Sequence, residues 1–230
     1  METLPNGFTI SLGEGCFPLS TDSMVLAHFA RLPRNARVLD LGSGCGTLGL
    51  LLCAKDSGCA ITGMELDEIA HEAALANIRR NGLEHRMESI CANLRQVSNY
   101  FVPGSFSCII SNPPYFSGGP ASRSLSAARR EEQCTLADLC SSAAWALKYG
   151  GDFFLVHRPE RLAEIIARCA ENGLEAKRLC LLRHKAGGPI TLILLHLRKG
   201  AKPGLKIEEQ ALFDKNGTPT SFYKDVYHIQ

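Results

Sequence analysis

Arg37-Val-Leu-Asp-Leu-Gly-Ser-Gly-Cys-Gly46 decides the fold. Its first half is an apolar run of strand length, its second half a glycine turn, and Thr47 to Lys55 continues in a helical pattern. Strand, glycine turn and helix in that order predict the opening unit of a sheet whose parallel strands are crossed over by helices. Working outward, Cys59 to Met64 is the second expected strand. Asp67 caps a helix whose apolar face includes Ile69, Ala73, Ala76 and Ile78 and which stops near Asn81-Gly82. Met87 to Cys91 and Phe106 to Ile110 follow as strands, then a helix over Leu136 to Leu147 and a strand over Asp152 to Val156. A further helix spans Pro159 to Asn172, with Gly173 as its stop. Cys180-Leu-Leu and Thr191 to Leu197 close the sheet as a hairpin through Ala186-Gly-Gly-Pro189. The expected fold is α/β: one doubly wound, mostly parallel, seven-stranded sheet with an antiparallel closing strand. A cap segment at 1–36 precedes the domain at 37–200, and a tail at 201–230 packs on it through Leu212, Phe213, Phe222, Tyr223, Val226 and Tyr227.

Composition agrees with this architecture. The chain of 230 residues, 45% apolar and 21% charged, is globular rather than disordered or fibrous and long enough for one full core. No apolar run reaches the roughly eighteen residues that a membrane helix needs, and the first residues lack a basic-then-apolar leader, so a soluble, cytoplasmic protein is expected. The ten cysteines are scattered and no two stand three positions apart, which argues for small buried hydrophobes rather than a zinc or redox motif. His157, His184 and His196 show no ligand spacing either, and no metal is expected. Residues 1–120 hold 8 Lys+Arg against 11 Asp+Glu, while 121–230 hold 17 against 12, so the basic excess lies in the second half. Lys199, Lys202 and Lys206 in the tail are candidates for touching a nucleic acid, against the alternative of a solvated face.

Two motifs carry chemistry. The spacing Gly42-x-Gly44-x-Gly46 after a strand places bare backbone at the sheet edge where α/β proteins hold ligands. It is neither the dinucleotide fingerprint nor a phosphate loop. Asp40 just ahead of the glycines makes the cradle negative, which disfavours a pyrophosphate and suits a cationic or amine-bearing ligand. Glu65, ending the second strand, is placed to accept both hydroxyls of a ribose. The second motif, Asn112-Pro-Pro-Tyr115, ends the fourth strand and so opens on the same edge. Its prolines fix the backbone so that the Asn112 side-chain oxygen and the Pro113 carbonyl converge on one NH2 group, and Tyr115 offers a face on which a flat ring can stack.

Asp40-Leu-Gly-Ser-Gly-Cys-Gly46, Glu65 and Asn112-Pro-Pro-Tyr115, in this order, resemble the class I S-adenosylmethionine-dependent methyltransferases of the amino-methylating branch, specifically the small-domain group. Phe17-Pro-Leu-Ser-Thr-Asp-Ser23, Ala128-Arg-Arg-Glu-Glu132 leading into Thr135 to Leu139, and Leu212-Phe-Asp-Lys-Asn-Gly-Thr218 are similar to bacterial tRNA adenine-N6 methyltransferases. The resemblance covers nearly the whole chain. It implies S-adenosylmethionine as cofactor, tRNA as substrate, and the N6 amine of an adenosine near a valine tRNA anticodon as acceptor.

By the same resemblance, Asp40, Gly42, Gly44 and Gly46 would surround the amino-acid part of the cofactor and Glu65 its ribose. Leu66 and Asn93 would meet its adenine, Asn93 standing where the family usually has an acid. Asn112, Pro113 and Tyr115 would hold the acceptor base with Phe116 as a clamp. Arg123, Arg129 and Arg130 would meet RNA phosphates, with 117–128 as a lid. Thr21 and Asp22 would either close the cleft or cap a helix from Ser23. The same tetrapeptide also serves enzymes acting on guanine, on DNA adenine and on glutamine amides, and a non-catalytic cofactor-binding subunit is an alternative of another class. A monomer is favoured.

Overall fold

In the computed structural model, which describes residues 2–4, 7–11, 20–113 and 134–228, the decisive stretch forms strand β3 (Arg37–Leu41) and helix α2 (Thr47–Lys55). Before them lie the short strands β1 (Glu2–Thr3) and β2 (Thr9–Ile10), paired antiparallel, and helix α1 (Thr21–Phe29). After them come β4 (Ala60–Glu65), α3 (Glu68–Arg80), β5 (Met87–Cys91), α4 (Val97–Tyr100), β6 (Phe106–Ser111) and α5 (Leu136–Ala146). The chain continues through β7 (Leu147–His157), α6 (Leu162–Glu171), β8 (Leu174–Lys185), β9 (Ile190–Lys199), β10 (Lys206–Phe213) and α7 (Ser221–Tyr227). Among the described residues no helix is long and apolar enough to cross a membrane.

Strand β3 is buried at every position but its first, as a central parallel strand covered on both faces must be. It pairs in parallel with β4 on one side and β6 on the other. The main sheet runs β10-β8-β9-β7-β6-β3-β4-β5, with β9 alone antiparallel to its neighbours β7 and β8. Chain order therefore leaves β3 in one direction through β4 and β5 and resumes on its other side with β6, which makes the carboxyl ends of β3 and β6 a topological switch point. The two faces carry separate cores. Met24, Leu26, Leu50, Ile78 and Val226 place α1, α2, α3 and α7 on one side. Val97, Leu139, Ala143 and Ile165 place α4, α5 and α6 on the other.

The α/β fold and its antiparallel closing strand agree with the sequence reading, but the sheet has eight strands rather than seven. Residues 206–213, assigned above to a tail, form β10 parallel to β8, and Arg178–Glu208 and Arg183–Glu209 ion pairs bridge the two strands. Lys206, Glu208 and Glu209 lack the apolar alternation of a strand, because an edge strand is solvated and its charges discourage pairing with other chains. Strand β8 likewise runs far beyond the expected Cys180-Leu-Leu, since half-buried polar residues occupy much of its length. Helix α1 starts at Thr21 with Ser20 as its cap, so neither Thr21 nor Asp22 is the cap of a helix beginning at Ser23.

Candidate active site

Parallel register brings the ends of β3, β4, β5 and β6 to one edge. Asp40 stands level with Gly63 of β4 and Ile110 of β6, and the Ser111 hydroxyl donates to the Leu41 carbonyl at 2.7 Å. The carboxyl end of β6 is thus fastened to the carboxyl end of β3, one strand spacing of roughly 5 Å away. The two motifs read from the sequence open side by side.

The glycine turn after β3 folds back on β4, with Gly42 and Ser43 N–H groups donating to the Met64 carbonyl at 2.9 and 3.2 Å. Gly42, Gly44 and Gly46 all have positive φ (75°, 55° and 84°), a conformation that side chains beyond glycine disfavour. Gly63 is bare for a different reason: a Cβ there would come within 2.7 Å of the Ser43 hydroxyl. Over Gly42 and Gly44 there is open space where a Cβ would project. Behind the loop, Asn77 is fully buried; its amide nitrogen donates to the Cys45 and Ser11 carbonyls and its oxygen accepts from the Ser11 N–H. Asn77 was not among the sequence candidates. Its signal is a polar residue on the buried stripe Ala70, Ala74, Asn77, Ile78 of α3.

Asp40 is the electrostatic centre of the cradle. It is 1% exposed and neither carboxylate oxygen has a hydrogen-bond partner among the described residues. Burial, and secondarily the charge of Glu65, pushes its carboxyl up to about 8. A buried, unpartnered carboxylate is an expensive arrangement. A cation placed beside it would relieve both the missing partner and the missing charge. Glu65 is differently disposed: one oxygen accepts from Gly44 N–H at 2.8 Å and the other from Asp67 N–H at 2.9 Å, so its carboxylate is fixed at the mouth of the loop. Leu66 beside it is 42% exposed. Asn93, just beyond the end of the neighbouring strand β5, accepts from Arg95 N–H at 3.0 Å. The cradle therefore fits a ligand with a cationic amino group at one end and a hydroxylated ring at the other.

Asn112 is half-buried and its amide nitrogen donates to the Ser23 hydroxyl at 3.0 Å, leaving its oxygen as the remaining acceptor beside the Pro113 backbone. Ser23 is held in turn by Ser20, whose side chain accepts from Ser23 N–H and caps α1. Thr21 in the same turn shares a hydrogen bond with the Tyr227 hydroxyl of α7 at 3.1 Å, and Tyr227 stacks on Tyr223. Ser23 and Tyr227 are contributors that the linear motifs did not disclose, since each acts from an element far from β6 in sequence. Tyr115, Phe116, Arg123, Arg129 and Arg130, with the expected lid at 117–128, lie outside the described residues.

Lys199, Lys202 and Lys206 are not near this edge. Strand β9 runs antiparallel, so Lys199 ends beside Leu174, the first residue of β8, and Lys206 opens β10 at that same far edge. Lys199 is also engaged, donating to the Ala144 and Leu147 carbonyls at the end of α5. Of the two alternatives weighed above for these lysines, the position of Lys199 and Lys206 favours the solvated face, and the tail packs on the domain by adding β10 along β8.

A family model described as "Methyltransferase small domain" matches residues 20–168. Among curated proteins, the tRNA1(Val) (adenine(37)-N6)-methyltransferase of Tolumonas auensis is 32% identical over 208 residues, covering 88% of this chain and 84% of the relative. That of Photobacterium profundum is 27% identical over 188 residues, covering 80% and 78%. Among solved structures, a predicted O-methyltransferase from Agrobacterium tumefaciens aligns with a TM-score of 0.76 at 23% identity over 90% of this chain and 96% of that one. A methyltransferase from Pyrococcus furiosus aligns with a TM-score of 0.62 at 24% identity over 85% and 90%. At these identities the solved structures share the fold.

Proposed function

This chain belongs to the methyltransferase small domain family and is an S-adenosylmethionine-dependent methyltransferase; from that premise we propose that it methylates the exocyclic N6 amine of an adenosine in tRNA, next to the anticodon of a valine tRNA. The observation that carries the reading is the end of β6. There Asn112 and Pro113 follow a strand that neighbours the one leading into a cradle whose buried carboxylate has no partner among the described residues. The names of the relatives support the choice of acceptor. A tRNA substrate would place the protein in the cytoplasm.

S-adenosylmethionine, when bound, supplies an electrophilic methyl group on a positively charged sulfur. Asp40 would hold its ammonium, with the backbone at Gly42 and Gly44 lying against the amino-acid part, whereas Gly46 faces Met87 and Ala74 and turns the chain into α2. Glu65, whose two oxygens each receive one backbone donor, keeps lone pairs for ribose hydroxyls. Leu66 and Asn93 would border the adenine.

On the acceptor side, an NH2 group donating to Asn112 and to the Pro113 carbonyl spends both hydrogens on protein oxygens. Its nitrogen lone pair then turns out of conjugation with the ring, and positioning accounts for the remaining work. Ser23 keeps the Asn112 amide in the orientation this requires. A base leaves its stack to reach such a site, and Tyr115 and Phe116 would receive its face, with Arg123, Arg129 and Arg130 on the phosphates.

The test is transfer of labelled methyl from S-adenosylmethionine into total tRNA from a strain lacking this gene, beside an Asn112→Ala variant, with the product nucleoside identified by mass. N6-methyladenosine formed by the unaltered protein and lost in the variant supports the proposal. Cofactor binding without transfer to tRNA overturns it and redirects the search to ribosomal RNA, DNA and protein amides.

A further inference from the structure

Beyond β6, the same sheet edge continues into a second cleft of about 290 Å³, formed where β7, β8 and β10 end and β9 begins. Leu182, Leu192 and Leu212 make its apolar floor, and Thr21 and Asp22 of the turn that holds Ser23 form one wall. Arg158 and His184, both exposed, stand at its rim. From β6 to β9 and β8 is two to three strand spacings, about 10–15 Å, so the cleft lies within reach of a residue neighbouring the one held at Asn112.

Among the described residues around this cleft, the cations Arg158, Lys185 and Lys215 outnumber the acids Asp22 and Asp214, and the Arg158 guanidinium also donates to the Thr191 carbonyl. Exposed Lys185 ends β8, and Lys215 lies against the adjoining hairpin turn, its Cε 3.9 Å from where a Cβ on Gly187 would be. The Ala186 N–H donates to the Phe213 carbonyl, which fixes that turn to the end of β10. Of the acids near the turn, Glu209 pairs with Arg183, whereas Asp214, whose Oδ1 accepts from the Asn216 and Thr218 N–H groups, keeps its charge beside Lys215. His184 packs at 5.1 Å on Phe213, so its ring belongs to an aromatic run that continues through Tyr223 to Tyr227.

We propose that this cleft binds the nucleotide adjoining the methyl acceptor in the RNA strand, with His184 and the apolar floor receiving its base and Arg158, Lys185 and Lys215 its flanking phosphates. An apolar floor with an aromatic rim and surrounding cations is the combination that single-stranded RNA requires, because unstacked bases need a face and the backbone needs charge. The proposal rests on the tRNA reading above. It also explains how an enzyme of this size could favour one sequence context, since the acceptor amine alone is the same on every adenosine.

The experiment compares three variants of the full chain on transcribed valine tRNA: Lys185→Gln with Lys215→Gln, His184→Ala, and Lys202→Gln with Lys206→Gln at the far edge. For the first two, KM for tRNA rises about tenfold while kcat and S-adenosylmethionine affinity hold, the latter reporting an intact fold. The first also flattens the log–log salt dependence of tRNA binding by about 1.4, the loss of two single-strand phosphate contacts. The far-edge variant matches the unaltered protein. Transfer that is insensitive to Lys185, Lys215 and His184, or equally sensitive to Lys202 and Lys206, overturns this cleft alone. No transfer to tRNA by the unaltered protein overturns the proposed function and the cleft with it.

Discussion

Replacing Asp40 by asparagine should make the cofactor-free protein more stable and the enzyme worse. The Asp40 carboxyl titrates at about 8 in the folded chain because it is buried, unpartnered and near Glu65, against roughly 3.9 when unfolded. A carboxyl raised on folding holds more protons in the native state. Stability is therefore fully present below about pH 4, falls as pH rises, and stops falling above about pH 8. The slope is about 1.4 kcal/mol per pH unit, so between pH 5 and pH 8 the loss is on the order of 4 kcal/mol.

The side chain introduced by Asp40→Asn does not titrate, and its buried amide costs about 1–3 kcal/mol of missing hydrogen bonds at every pH. The variant should thus gain on the wild type by about 4 kcal/mol between pH 5 and pH 8, with a net advantage of about 2–4 kcal/mol at the upper end. For a chain of this length that advantage corresponds to about 5–15 °C in Tm. Urea unfolding of the cofactor-free proteins at pH 5, 6, 7 and 8 measures it directly, since all other titrating groups are common to both. The complementary arm is calorimetric titration with S-adenosylmethionine, which should bind about 10- to 100-fold more weakly to the variant, as expected for one lost charge-assisted bond. Parallel stability curves for the two proteins from pH 5 to pH 8 would refute the reasoning, because they would mean that Asp40 is already solvated or paired.

Other expectations follow from the same geometry. Ser23→Ala, which removes the partner of the Asn112 amide, should lower kcat about fivefold with S-adenosylmethionine affinity unchanged, consistent with one neutral hydrogen bond of about 1 kcal/mol; Ser23→Thr should retain most activity, and equal losses in both would count against a role through the hydroxyl. Gly44→Ala, at φ 55°, should cost about 1 kcal/mol of stability and reduce S-adenosylmethionine binding; an unchanged dissociation constant would remove that backbone from the cradle. Asn77→Ala leaves the Cys45 and Ser11 groups without their buried partner and should destabilise by about 2–4 kcal/mol in urea unfolding. Wild-type affinity for S-adenosylmethionine should tighten with pH up to about 8, with proton release that Asp40→Asn abolishes, readable by titration in buffers of different ionisation enthalpy.

The part of the molecule legible in the sequence is the part in which function and local backbone coincide. Thr47 to Lys55, Asp67 as a cap and the end of β6 lie where turn chemistry and apolar runs place them, because a buried parallel strand and a glycine turn each leave a local signature. Strand β10 left little, since its pairing energy comes from β8 and the first four of its side chains face water. The site divides the same way. Asp40, Gly44, Glu65 and Asn112 sit in motifs that read along the chain, whereas Ser23 reaches Asn112 from 89 positions away and only the fold brings them together. The tail lysines show the converse: composition gives charge without direction, and one antiparallel strand carries Lys199 to the edge opposite the glycine loop.

The hydrogen bond between Thr21 and Tyr227 joins residues 206 positions apart. On a ribosome, the cradle between Asp40 and Asn93 has emerged in full long before Tyr227 has been added. The turn that steadies Asn112 gains this brace only after every strand of the main sheet has been made. Loss of α7 would therefore loosen the turn behind Asn112 while leaving the glycine loop and Glu65 untouched.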